Sequence, residues 1–155
     1  MGLRDKVSVI ASGKVASGFD MVTKIALGAD ACNAARAMLF ALGCIQARRC
    51  HTNSCPTGIT TQDPSRKSAV HIHERGPMVA SYHDRTIHAF LEMCGAMGLK
   101  SIDDLTPDLI MRRGANEISI PYSTLYEYLE PGILLTKNIP ATYKQQWECA
   151  RADQF

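Results

Sequence analysis

Apolar residues recur along this chain in two rhythms, and the change of rhythm divides it. Val7-Ser8-Val9-Ile10-Ala11 is a short β-branched run that ends at Ser12-Gly13-Lys14. It predicts a buried strand followed by a glycine turn. Phe19, Met21, Val22, Ile25, Ala26 and Leu27 then fall at helical spacing, with Ser17 placed to cap the helix and Gly28 to stop it. Asp30 to Ala34 predicts a second short strand of small residues, and Ala35 to Leu42 an alanine-rich helix ended by Gly43. Strand, helix, strand, helix predicts a parallel sheet with right-handed crossovers. Parallel strands need cover on both faces. Two of them cannot close a barrel, so residues 1–43 read as a piece of something larger.

Residues 44–65 carry no periodicity and contain Pro56, Gly58 and Pro64, which predicts a loop. Residues 66–113 read as a helical connector. Its main helix runs from Val79 to Met97, with Val79, Tyr82, Thr86, Ile87, Phe90, Leu91 and Cys94 on one face and Gly98 closing it. Ser101 and Thr106 stand where N-caps of short helices belong, with Pro107 in a first-turn position. From Gly114 the signal weakens, and residues 114–155 read as an irregular, partly exposed tail that is polar from Lys144 to Phe155. The class is α/β with a mainly helical C-terminal extension.

Composition narrows the function. The chain has 155 residues, 46% of them hydrophobic, which suits one packed domain. Its 17 basic and 15 acidic residues leave a net charge of +2, too near neutral to indicate a nucleic-acid partner. Its apolar runs are broken by Lys24, Asp30 and Asn33, so no bilayer span is expected. The start, "MGLRDKVSVIASGK", lacks the apolar core of a secretory signal, and a cytoplasmic location is expected. Six cysteines, unevenly placed and without a signal, fit a reducing compartment better than a disulfide framework.

Three of those cysteines, Cys44, Cys50 and Cys55, fall within twelve residues in "GCIQARRCHTNSCPTG". Clustered thiolates bind soft metals. Structural zinc commonly uses CxxC pairs, and none occurs here. His51 is adjacent to Cys50, a poor geometry for chelating one ion. Three thiolates suit a cluster with one thiolate per iron, and Pro56 after Cys55 matches the Cys-Pro that ends the bacterial ferredoxin run. On spacing alone, zinc and iron–sulfur both stand, beside three unliganded thiols. Cys32, Cys94 and Cys149 read as small apolar residues that pack.

Two turns could hold phosphate. Ser12-Gly13-Lys14 follows the first strand, and Asn33-Ala34-Ala35-Arg36 follows the second and opens a helix. In a (β/α)8 barrel the loops after strands 7 and 8 make such a site. Gly13 would let the backbone approach, and Lys14 and Arg36 supply positive charge. The plain alternative is two ordinary βα turns. His71 and His73 in "HIHERG", like His83 and His88, read mainly as exposed polar positions, with metal binding the lesser reading. Arg48-Arg49 and Arg112-Arg113 read as solvated or acid-paired. Arg48 and Arg49 could also offset a negative cluster. No GxSxG, Walker or HExxH motif is present.

Val9 to Pro64, and above all "GC-x5-CH-x-N-x-CP-x-G-x-x-TQDP", resembles the end of the FMN-binding barrel domain of glutamate synthase. The nearest likeness is to the stand-alone FMN-binding glutamate synthase family. From His71 to Arg113 the likeness continues more weakly. The resemblance implies the last two βα units of a (β/α)8 barrel over residues 1–43, and an iron–sulfur loop over residues 44–65. It implies a 3Fe–4S cluster on Cys44, Cys50 and Cys55, and an FMN phosphate held by Ser12, Gly13, Lys14, Ala34, Ala35 and Arg36. The family activity is reductive formation of L-glutamate from 2-oxoglutarate and ammonia or amide nitrogen. Electrons come from ferredoxin or from a subunit oxidising NAD(P)H. The match begins at strand 7, so about six strands of the eight-stranded barrel, and any acid, base or hydride acceptor, would come from an upstream segment or another chain. Alternatives are a zinc module that adds His71 or His73 to the cysteines, and a barrel remnant whose open strand edges drive homo-oligomers.

Overall fold

The computed structural model describes residues 2–114, 117–151 and 153. The ends of the expected segments at Met1 and Phe155 lie outside them. A 3-10 turn, Arg4–Lys6, leads to β1 (Ile10–Ala11), α1 (Gly18–Ala26), β2 (Ala31–Cys32) and α2 (Ala35–Ala41). β1 and β2 pair in parallel, Ile10 with Ala31 and Ala11 with Cys32, as the strand–helix alternation predicts. Asp30 ties their entry together. Its carboxylate accepts from Arg4 Nη2 at 2.7 Å and from the Val9 amide at 2.7 Å.

The strands differ from expectation in length and cover. Each is two residues long rather than five, and β1 is not buried: Val7, Val9 and Ile10 are 56%, 43% and 57% exposed. A β-branched run records that a segment suits a buried strand, not that its cover is present.

α1 begins as its sequence dictates. The Asp20 amide donates to Ser17 Oγ and the Ser17 amide to Asp20 Oδ2, a reciprocal capping box. α1 packs on α4 (Ile72–Ala96), the longest helix, which follows the short α3 (Pro64–Lys67). The crossing is close because Gly18 has no side chain: a Cβ there would lie 2.6 Å from the Phe90 amide nitrogen. Around this crossing Val22, Ala26, Phe90 and Cys94 form the core with Leu105 and Ile110. The last two directly follow the turns Ile102–Asp104 and Pro107–Leu109, short 3-10 helices that begin after the expected caps Ser101 and Thr106.

Four further expectations are corrected. α4 starts at Ile72, not Val79; Pro77 sits inside it without ending it. There the helix goes without one backbone donor, and packing of the rest outweighs that loss. On its apolar face Leu91 is 52% exposed, while Met93 and Met97 pack on the core. Cys149 is exposed, not packed. The tail is not irregular throughout. The hairpin β3 (Met111–Arg113) and β4 (Ser119–Pro121) is antiparallel and runs into α5 (Tyr122–Leu125). α6 (Ala141–Cys149) then docks its Tyr143 hydroxyl on Glu127 O at 2.8 Å. α6 is polar over much of its length and so shows little apolar periodicity.

Among the described residues no helix is long and apolar enough to cross a membrane.

Candidate flavin-phosphate and iron–sulfur sites

Both turns singled out in the sequence open on one cleft of about 530 Å3. Ser12, Gly13 and Lys14 form one wall, and Asn33, Ala35 and Arg36 the other. Ala34 is the exception. It lines a neighbouring hollow toward Tyr82 and Met38. Gly13 and Lys14 both have left-handed backbone, with φ of 94° and 55°. That is ordinary for glycine and uncommon for lysine. Lys14 and Arg36 are exposed and make no ion pair among the described residues. Two cations beside a backbone open enough to accept a ligand fit a phosphate. Two residues outside the motif hold the turn. Asp20 Oδ2 accepts from the Ala16 and Ser17 amides, and Tyr82 of α4 donates its hydroxyl to Ala16 O. Partial burial alone would raise the Asp20 carboxyl. The bonds from Ser17 and Ala16 outweigh it, and the group ends below its ordinary 3.8.

The cysteines follow at the other end of α2. Phe40 of that helix lines the cleft, and Leu39 faces a second, enclosed hollow walled by Cys44, Cys50 and Cys55, with Thr57 and Thr60. The two hollows thus share one seven-residue helix, α2. Cys55 is buried, Cys44 half-buried and Cys50 exposed. The Cys55 sulfur lies 3.2 Å from the Thr57 hydroxyl. The nearby Thr57 and Thr60 hydroxyls and amides lower its pKa to about 6, so it is poised as a thiolate. The Gln46 amide donates to Cys44 Sγ at 3.4 Å. Three sulfurs, in a hollow whose other lining residues are apolar or are Arg48, Arg49, Thr57 and Thr60, make a donor set suited to a soft metal group. Among the described residues no three His, Cys, Asp or Glu side chains converge on one point. His71 and His73, the alternative fourth ligands, are exposed at the start of α4.

The chain closes this loop with polar bonds that the sequence motif contains but does not explain. Asn53 Oδ1 accepts from the Gln62 amide at 2.6 Å and the Thr61 hydroxyl at 3.1 Å. Thr61, a buried polar residue, also donates to Asn53 O at 2.6 Å and accepts from the Asp63 amide. Asp63 caps α3 through Ser65 and pairs with Arg66, whose guanidinium reaches back to Ser54 O at 3.3 Å. Those bonds, led by the Ser65 hydroxyl, hold the Asp63 carboxyl below its ordinary 3.8. Gly58 packs against this turn: at φ 77°, a Cβ would fall 2.2 Å from Arg66 O. Thus "N-x-CP-x-G-x-x-TQDP" is a polar latch. Gln46, Arg48 and Asn53 within the loop also have left-handed φ. With Lys14, they make four of the five such non-glycine residues among those described. Backbone of this kind gathers at functional sites, where the surroundings over-determine it.

Residues 1–100 match the family model described as the conserved region in glutamate synthase. The chain is 38% identical over 100 residues to the glutamate synthase large subunit-like protein YerD of Bacillus subtilis, covering 64% of this chain and 19% of that protein. It is 37% identical over 113 residues to the archaeal glutamate synthase (NADPH) of Methanocaldococcus jannaschii, covering 73% and 22%. Against the glutamate synthase (NADH) of Saccharomyces cerevisiae it is 29% identical over 149 residues, covering 93% and 7%. The chain therefore spans about a fifth of the length of the first two relatives.

Proposed function

Because this chain belongs to the glutamate synthase family, we propose that it is the flavin-phosphate and iron–sulfur segment of a glutamate-forming oxidoreductase. Ser12, Gly13, Lys14, Asn33, Ala35 and Arg36 hold the FMN phosphate, with Ala34 contributing through backbone only. Cys44, Cys50 and Cys55 hold a 3Fe–4S cluster. The β1–β2 pair is the end of a (β/α)8 barrel whose other strands cover the exposed Val7, Val9 and Ile10. Those strands bring the 2-oxoglutarate site and the rest of the flavin site. The electron donor is ferredoxin or an NAD(P)H-oxidising subunit.

One observation carries this reading. The cysteine hollow and the cleft of the two turns share one short helix, α2, so two redox groups bound there would be neighbours. When bound, flavin and cluster supply the electron chemistry. This chain's residues bind and orient them.

Anaerobic purification tests the assignment. The expected chain is brown, with iron and acid-labile sulfide in cluster proportion, and Cys50→Ser removes both. One zinc per chain and no sulfide would replace the cluster with a zinc module. A metal-free chain would leave only a barrel remnant. In a flavin titration this segment alone should bind FMN weakly or not at all, and binding should appear when the remaining strands are supplied.

A further inference from the structure

Thr60 Oγ1 is buried and, among the described residues, finds no hydrogen-bond partner. It lines the hollow that Cys44, Cys50 and Cys55 share. The hydroxyls around it are satisfied: Thr61 bonds Asn53, and Thr57 lies 3.2 Å from the Cys55 sulfur. Among the described residues no acceptor meets the Thr60 hydroxyl in bonding geometry. A buried hydroxyl left unpaired destabilises the fold, and a valine of the same shape would not. The orphan therefore asks for an acceptor that enters the hollow with the ligand.

The geometry points to Thr60 as a hydrogen-bond donor to sulfur of the cluster carried by Cys44, Cys50 and Cys55. The inference rests on the cluster reading above. A donor to cluster sulfur favours the reduced, more negative form, so Thr60 raises the reduction potential. It is a positioning and tuning residue, not a ligand.

The test compares the full chain with Thr60→Val and Thr60→Ser, each reconstituted anaerobically with iron and sulfide. Iron and sulfide per chain are measured, and the midpoint potential is read by EPR-monitored titration. The valine variant should load fully, show a potential shifted to lower values and, without metal, melt no earlier than the parent. The serine variant, which keeps the hydroxyl, should retain the parent potential. Cluster loss in valine but not serine also supports the donor role. A loaded valine variant with the parent potential overturns it, because water alone could then have satisfied the hydroxyl. Equal shifts in both variants overturn it too, because they would trace to packing of the methyl. If the parent chain takes up no iron or sulfide, the cluster reading itself fails, an outcome distinct from the other two.

Discussion

The α1–α4 core and the cysteine loop are held by opposite means. In the core, Val22, Ala26, Phe90 and Cys94 are almost fully buried and their contacts are apolar. In residues 44–63 the buried residues are Cys55, Gly58 and Thr61, and Ile45 is 67% exposed. The loop keeps its shape through Asn53, Thr61, Asp63 and Arg66, and through left-handed backbone at Gln46, Arg48 and Asn53. Apolar packing spreads its stabilisation over many weak, non-directional contacts. A polar latch does not, because each bond is directional and each lost partner leaves an orphan. The core therefore rests on apolar packing, whereas the loop rests on a few directional bonds.

The sharpest break in this contrast is Phe90→Ala. It should lower unfolding free energy by about 4 kcal/mol, as deletion of a buried aromatic does, measured by urea titration. A value near zero would mean the core is not where the stability lies. Gly58→Ala attacks the loop instead. Its Cβ would meet Arg66 O at 2.2 Å on a left-handed backbone, and the expected cost is about 3 kcal/mol. Tryptic cleavage at Arg48 and Arg49 should rise while the α-helical circular dichroism of α1 and α4 stays. Simultaneous loss of both would make the two regions one cooperative unit.

Thr61→Val removes one hydroxyl of the latch and should cost about 1–2 kcal/mol, visible as faster amide exchange at Gln62 and Asp63. The latch also responds to acid. With the Asp63 carboxyl below its ordinary 3.8, its contribution is present above that value and is lost as pH falls through the lower native one. Pepsin cleavage within the loop should climb over that acid range in the parent but be high throughout in Asp63→Asn. Leu91→Ser should change stability by no more than about 0.5 kcal/mol, since Leu91 is 52% exposed. A larger loss would place a contact on that face of α4.

The parts legible in the sequence were those governed by local physics. Ser17 and Asp20 cap α1 through bonds spanning three residues, and Gly43 ends α2 in left-handed backbone as its position predicts. The parallel pairing of β1 and β2 follows from the alternation of strand and helix. The cysteine spacing marked one loop, and its three thiols do share one hollow. The apolar stripe marked α4 only from Val79, whereas the helix starts at Ile72 and carries Pro77 inside it. Tyr82, sixty-six residues from Ala16, could not be tied to the cleft turn by any spacing. Thr60 gave no signal either, since what distinguishes it is a missing partner.

By itself, the sequence determined the capping of α1, the alternation that pairs β1 with β2, and the family, and it marked candidate residues for phosphate and soft metal, because residue type and short spacing decide those. The tertiary structure alone decided that two separate turns share a cleft, that α2 sets the cysteine hollow beside it, and that α4 holds the Ala16 turn through Tyr82 and meets α1 at the Gly18 crossing. The reason is physical. Chain chemistry is local, but a site is a set of distances, and here long-range packing of α1 and α2 on α4 sets them.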